Sequence, residues 1–146
     1  DKAAAIATLI NLNCEDSVAV ETFAEASGYL SRPISELRTS FEAGRPRAVR
    51  VAEFENGKAV VDSSLNTLTI HFDRPMHTAY RSTGNGDLGP DHAPEVTDIA
   101  FAADGRSITY TVTLNPGIHY QLKLEEGFRD ERLVQLVPYV VEFKTR

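Results

Sequence analysis

The sequence has no tryptophan, a single cysteine and a single methionine, and these scarcities narrow what the chain can be. Cys14 alone excludes an internal disulfide and a cysteine-based zinc site. With Glu15 and Asp16 beside it, its thiol also lacks the electropositive setting of a reactive cysteine. No apolar run approaches the roughly 18 residues of a membrane-spanning helix, so no membrane insertion is expected. Positive charge is short as well. The 15 Lys and Arg stand against 21 Asp and Glu, and the resulting −6 is the wrong sign for a nucleic-acid surface. The stretch from Glu21 to Phe41 has a helix–turn–helix look around Gly28. Residues 1–46 nevertheless hold seven acids and four bases, which favours helix packing over DNA reading. No Gly-x-Ser-x-Gly elbow and no His-Glu-x-x-His helix occurs, so no catalytic residues and no cofactor are expected. The first residue is Asp1 and no signal peptide is visible, as in either a processed precursor or a trimmed chain.

What is present is a period of two. Ile108, Tyr110, Val112 and Leu114 alternate with threonines, and Ile118, Tyr120, Leu122 and Leu124 alternate with His119, Gln121 and Lys123. Strict alternation over seven residues, twice, predicts two half-buried antiparallel strands. Pro116-Gly117 supplies the corner, since Pro presets φ and Gly accepts φ > 0. Tyr120 falls where a sandwich places a tyrosine corner, its ring in the core and its hydroxyl bonded back to the preceding loop.

The same period recurs from Arg47 onward. Val49 and Val51 predict a first strand facing inward, and Asn56-Gly57 is a strong turn signal. Leu68, Ile70 and Phe72 predict another strand, closed by Asp73-Arg74-Pro75-Met76 because Pro cannot sit inside a paired ladder. Arg81 to Pro94 reads as one long exposed loop. Ile99 and Phe101 mark a further strand, Gly127 to Leu136 reads as polar and irregular, and Val137, Tyr139, Val141 and Phe143 close the chain facing inward. The expectation is a mainly β chain: an antiparallel Ig-like β-sandwich of about seven strands over residues 47–146. A small helical segment of two to three helices, residues 1–46, precedes it. There the stripes Ile6, Leu9 and Ile10, then Phe23, then Ile34, Leu37 and Phe41 fall at helical spacing. Ile6, Leu9, Phe23, Ile34, Leu37 and Phe41 are therefore the candidate interaction surface. Helices this short need a partner, which is either the sandwich, a second copy or another domain, with Gly44-Arg45-Pro46 as the hinge.

Several pieces together resemble a bacterial Ig-like domain of the type found in S-layer proteins, the SbsA Ig-like family. They are the Asn56-Gly57 turn followed by Val60-Val61-Asp62-Ser63-Ser64; Leu68 to Met76 with its Phe-Asp-Arg-Pro-Met ending; Asp104-Gly105 to Tyr110; Leu114 to Tyr120; and Tyr139 to Thr145. They cover about two thirds of the chain and leave residues 1–46 outside. The resemblance implies a non-catalytic module of an exported protein, extracytoplasmic, serving as spacer or accessory domain with a protein partner or a neighbouring domain. It carries no catalytic residues across.

Two other readings attach to particular residues. His77, Asp87, Asp91 and His92 have the right atoms for a zinc or calcium site if the long loop folds back, and the loop with Tyr80 offers a surface for sugar. Their spacing fits no known ligand pattern, and the expected outcome is no physiological metal. Alternatively the chain is an accessory fragment of a secreted hydrolase, protease or glycosidase, whose active site lies elsewhere.

Overall fold

The computed structural model describes residues 34–146. The chain divides into two units, Asp1–Arg45 and Pro46–Arg146. In the first, the described element is one helix, α1 (Ile34–Ala43). Gly44 N–H closes it by donating to the carbonyls of Ser40 (3.1 Å) and Phe41 (3.0 Å). Phe41 is half-buried. The two helices expected upstream, with Ile6, Leu9 and Phe23, lie outside the described residues, and α1 accounts for the third.

The second unit is built from eight strands: β1 (Ala48–Val51), β2 (Val60–Val61), β3 (Thr67–Phe72), β4 (Thr83–Gly84), β5 (Glu95–Phe101), β6 (Ser107–Thr113), β7 (His119–Leu124) and β8 (Tyr139–Thr145). They form two four-stranded sheets, ordered β1-β3-β6-β5 and β2-β8-β7-β4. Where the sequence alternates strictly, so does burial. In β3, β6 and β7 every second side chain is buried, from Leu68 and Ile70 through Ile108, Tyr110 and Val112 to Tyr120, Leu122 and Leu124. These residues join Val141 and Phe143 of β8 in one hydrophobic core shared by the two sheets. Burying each such side chain stabilises by roughly 1.5–3 kcal/mol.

Three expectations are corrected. The strands number eight rather than about seven, because β4 lies inside the stretch that reads as an exposed loop. The pairing is not wholly antiparallel: β2 runs parallel to β8, with Val60 opposite Lys144 and Val61 opposite Thr145. Val49 does not face the core. The register slips between Ala48 and Arg50, and this bulge turns Val49 outward to 55% exposure while Val51 stays buried. Asn56-Gly57 does turn, as expected, with Lys58 N–H donating to Glu55 O (3.4 Å), and it links β1 and β2 in different sheets. Residues 127–136 are irregular, as expected, with Glu131, Arg132 and Leu133 exposed; Phe128, Asp130 and Leu136 are nevertheless fully buried, and bridges Met76–Asp130 and Arg129–Gln135 tie the segment down.

The register also fixes where Pro46 and Arg146 lie. The Pro46 carbonyl accepts from Val137 N–H (3.0 Å), just before β8 begins. Thr145 N–H donates to the Ile118 carbonyl (2.9 Å) and Arg146 N–H to that of Val61 (3.1 Å), where β8 ends. Pro46 and Arg146 therefore stand at opposite ends of β8, which at about 3.3 Å per residue spans roughly 20 Å. The Pro46 end is called proximal below and the Arg146 end distal.

Candidate functional site

Three groups of polar side chains in the second unit bear on a candidate site. The first is at the proximal end, where the segments after β3 and β7 meet. Asp130 is buried there, and its carboxylate accepts from the backbone N–H groups of Arg132 (2.9 Å) and Val134 (3.1 Å) and from the Arg132 guanidinium (2.8 Å). Arg74 adds a longer contact at 3.7 Å and pairs with Asp73 through Nε (3.0 Å). Asp73 in turn accepts from Arg47 N–H (3.1 Å). Partial burial pushes the Asp73 carboxyl up, but the hydrogen bonds from Arg74 and Arg47 outweigh it and leave Asp73 below the usual carboxylate range. Beside this network Arg129 lies over the Tyr80 ring (5.5 Å), and His77 meets the same ring edge-on at 4.9 Å. A shallow cavity of about 280 Å³ opens here between His77, Asp104 and Glu131.

The second place is the strip 82–92, which runs along the edge of β7 from its end to its start. Glu125 N–H donates to Ser82 O (2.9 Å), Thr83 and Gly84 pair with Leu124 and Lys123, and Leu88 N–H donates to the Gln121 side chain (3.0 Å). His92 Nδ1 then donates to the His119 carbonyl (2.7 Å). Thr83 also reaches across the core, its hydroxyl 2.7 Å from that of Tyr110. Burial raises the Tyr110 hydroxyl pKa above its ordinary value, against opposing effects of the Thr83 bond and Arg81.

The third place is the edge of β8 turned toward β2. The Asn56 side chain donates to Val140 O (2.8 Å) and accepts from Glu142 N–H (2.7 Å), so one amide stands in for a peptide group of the neighbouring strand. Backbone pairing continues the row through Gly57 N–H to Glu142 O (2.8 Å) and Lys144 N–H to Ala59 O (3.0 Å). On the outer surface beside it, His119 Nε2 stands 2.6 Å from Glu142 Oε1.

The structure does not bring the metal candidates together. His77 sits at the proximal end, its backbone N–H on Arg129 O, whereas His92 is held at the distal end of β7. Asp87 and Asp91 are exposed between them. Among the described residues no three His, Cys, Asp or Glu side chains are grouped as a metal site. Tyr120 has its ring in the core, and its hydroxyl accepts from Asn115 N–H at 2.8 Å. Sequence reasoning missed Asp130, Thr83 and the role of Asn56. The signal for Asp130 was present in Asp130-Glu-Arg132-Leu-Val134, where a carboxylate can bond backbone groups two and four residues on.

The fold thus defines a mainly β unit of two four-stranded sheets with one short helix described before it. No protein-family model matches the sequence, and no curated protein matches it. Solved structures to which it is similar include surface layer protein SbsC, domains 1–6, at 18% identity and a TM-score of 0.47, covering 75% of this chain and 15% of that one. The N-terminal part of the bacterial S-layer protein SbsC is similar at 17% identity and a TM-score of 0.48, over 77% of this chain and 26% of that one. This chain therefore spans about a quarter or less of the length of those structures.

Proposed function

We propose that residues 46–146 are a non-catalytic structural module of an extracytoplasmic bacterial protein, an Ig-like spacer that holds its neighbours at a fixed separation. The observation that carries this reading is the placement of Pro46 and Arg146 at opposite ends of β8. A domain whose two attachment points are side by side adds bulk to a chain; one whose attachment points face away adds length. The polar groups support the same reading. The carboxylate of Asp130, the amide of Asn56 and the hydroxyl of Thr83 are committed to holding loops and sheet edges. The resemblance of residues 47–146 to S-layer Ig-like domains adds the cell-surface setting and a neighbouring domain as partner.

The test is replacement. In the producing cell, residues 46–146 are exchanged for an unrelated two-sheet domain of similar end-to-end span. A spacer tolerates the exchange, and surface display of the parent is retained. Loss of display with a stably folded substitute would mean that this domain's own surface binds something, and the spacer reading would fall.

A further inference from the structure

The Asn56-Gly57 dipeptide is chemically the most labile kind of amide pair in a protein. Gly places no side chain in the way when its backbone nitrogen, having lost its proton to solvent base, attacks Cγ of the preceding Asn. A new C–N bond closes a five-membered succinimide, the Cγ–Nδ2 bond breaks, and ammonia leaves. Water then opens the ring to Asp or iso-Asp, so water is the sole co-reactant. In the folded chain each reacting group is occupied. The nucleophile, Gly57 N–H, donates to Glu142 O at 2.8 Å. The leaving amide donates to Val140 O at 2.8 Å, and the carbonyl beside it accepts from Glu142 N–H at 2.7 Å.

We propose that Asn56-Gly57 is a masked deamidation site, inert while it is zipped to β8 and reactive when that edge opens. Conversion is then an irreversible mark of opening. An Asp at position 56 still accepts from Glu142 N–H, but it has no proton to give Val140 O and sets a carboxylate oxygen against that carbonyl. The edge of β8 that opened once re-forms less well. A comparator is built into the same chain: Asn85-Gly86 has the same chemistry, with Asn85 exposed.

The experiment uses the full chain in mildly alkaline buffer, with and without urea, followed by peptide mapping that separates Asn, Asp and iso-Asp. In urea, positions 56 and 85 are expected to convert at comparable rates. In the native chain, position 56 is expected to slow by roughly a hundred-fold, the protection given by three hydrogen bonds of ordinary net strength. Conversion of Asn56 in the native chain at its urea rate overturns the masking. The consequence is read separately in N56D by amide hydrogen exchange. Exchange at Glu142 is expected to accelerate about ten-fold, the loss of one such bond, and unchanged exchange there overturns the marking.

Discussion

At the scale of single residues, most of the described polar chemistry holds loops to the core. Tyr120→Phe removes the acceptor of Asn115 N–H and is expected to cost about 1 kcal/mol. Tyr120→Ala also opens the core against Phe143 and is expected to cost about 3–5 kcal/mol, both read from urea midpoints. Two glycines separate strain from collision. Gly117 has φ +72 with open space around it, so Gly117→Ala should cost about 1–2 kcal/mol from backbone strain alone. At Gly105, φ is +70 and a Cβ would lie 2.6 Å from the Met76 carbonyl oxygen, so Gly105→Ala should cost clearly more. Equal losses at the two positions would show that the close approach to Met76 is absent in solution. Titration adds two limits. Asp73 has a lowered pKa in the fold, so the stability it contributes is present above the unfolded carboxylate value near 4 and is lost as pH falls through the folded value. Asp73→Asn is expected to flatten the acid limb of stability against pH. Tyr110 has a raised pKa, so its contribution is intact below the unfolded value near 10 and is lost as pH rises through the folded value. In an alkaline titration its tyrosinate absorbance should appear together with unfolding, and Tyr110→Phe should remove that step.

At the scale of elements, the long alternating strands were legible and the short edge pieces were not. β3, β6, β7 and β8 announce themselves because a half-buried strand needs an apolar residue at every second position. β4 contributes Thr83 and Gly84, neither of which buries a large side chain; what places them is the row of free backbone groups on β7. The segment around Asp130 shows a related limit. It reads as polar and irregular, and Glu131 and Arg132 are indeed exposed, yet the Asp130 carboxylate is buried beside Phe128 and Leu136 because its own following backbone and Arg132 satisfy it. Asp130→Ala strands those N–H groups and is expected to cost about 1–3 kcal/mol by thermal or urea unfolding. Asn56 shows a third kind of limit. An Asn-Gly pair signals a turn, but which edge its side chain will complete depends on a strand more than 80 residues further along.

At the scale of the whole molecule, each residue of the described core belongs to the second unit, from Val51 to Phe143. Residues 46–146 are therefore expected to fold alone, with a cooperative urea transition and a near-ultraviolet circular dichroism signal from the buried Tyr110 and Tyr120. A non-cooperative, molten response would show that the first unit supplies an indispensable part of the core. The N-terminal stripes, by contrast, lay open to reading only as stripes: periodicity shows which face is apolar but not what it meets.

The alignment of β8 with its neighbours bears on what happens when the protein is pulled. Tension applied through Pro46 and Arg146 acts along β8. The bonds that hold β8 to β2 on one side and β7 on the other lie across that line. They are loaded in shear and must yield as a group, unlike a hairpin drawn open from its tip, where bonds give way one after another. Stretching the unit between these two points should therefore give a single rupture at high force, while tethers placed at Arg146 and on the adjacent 114–118 turn should peel β8 from β7 at a much lower one.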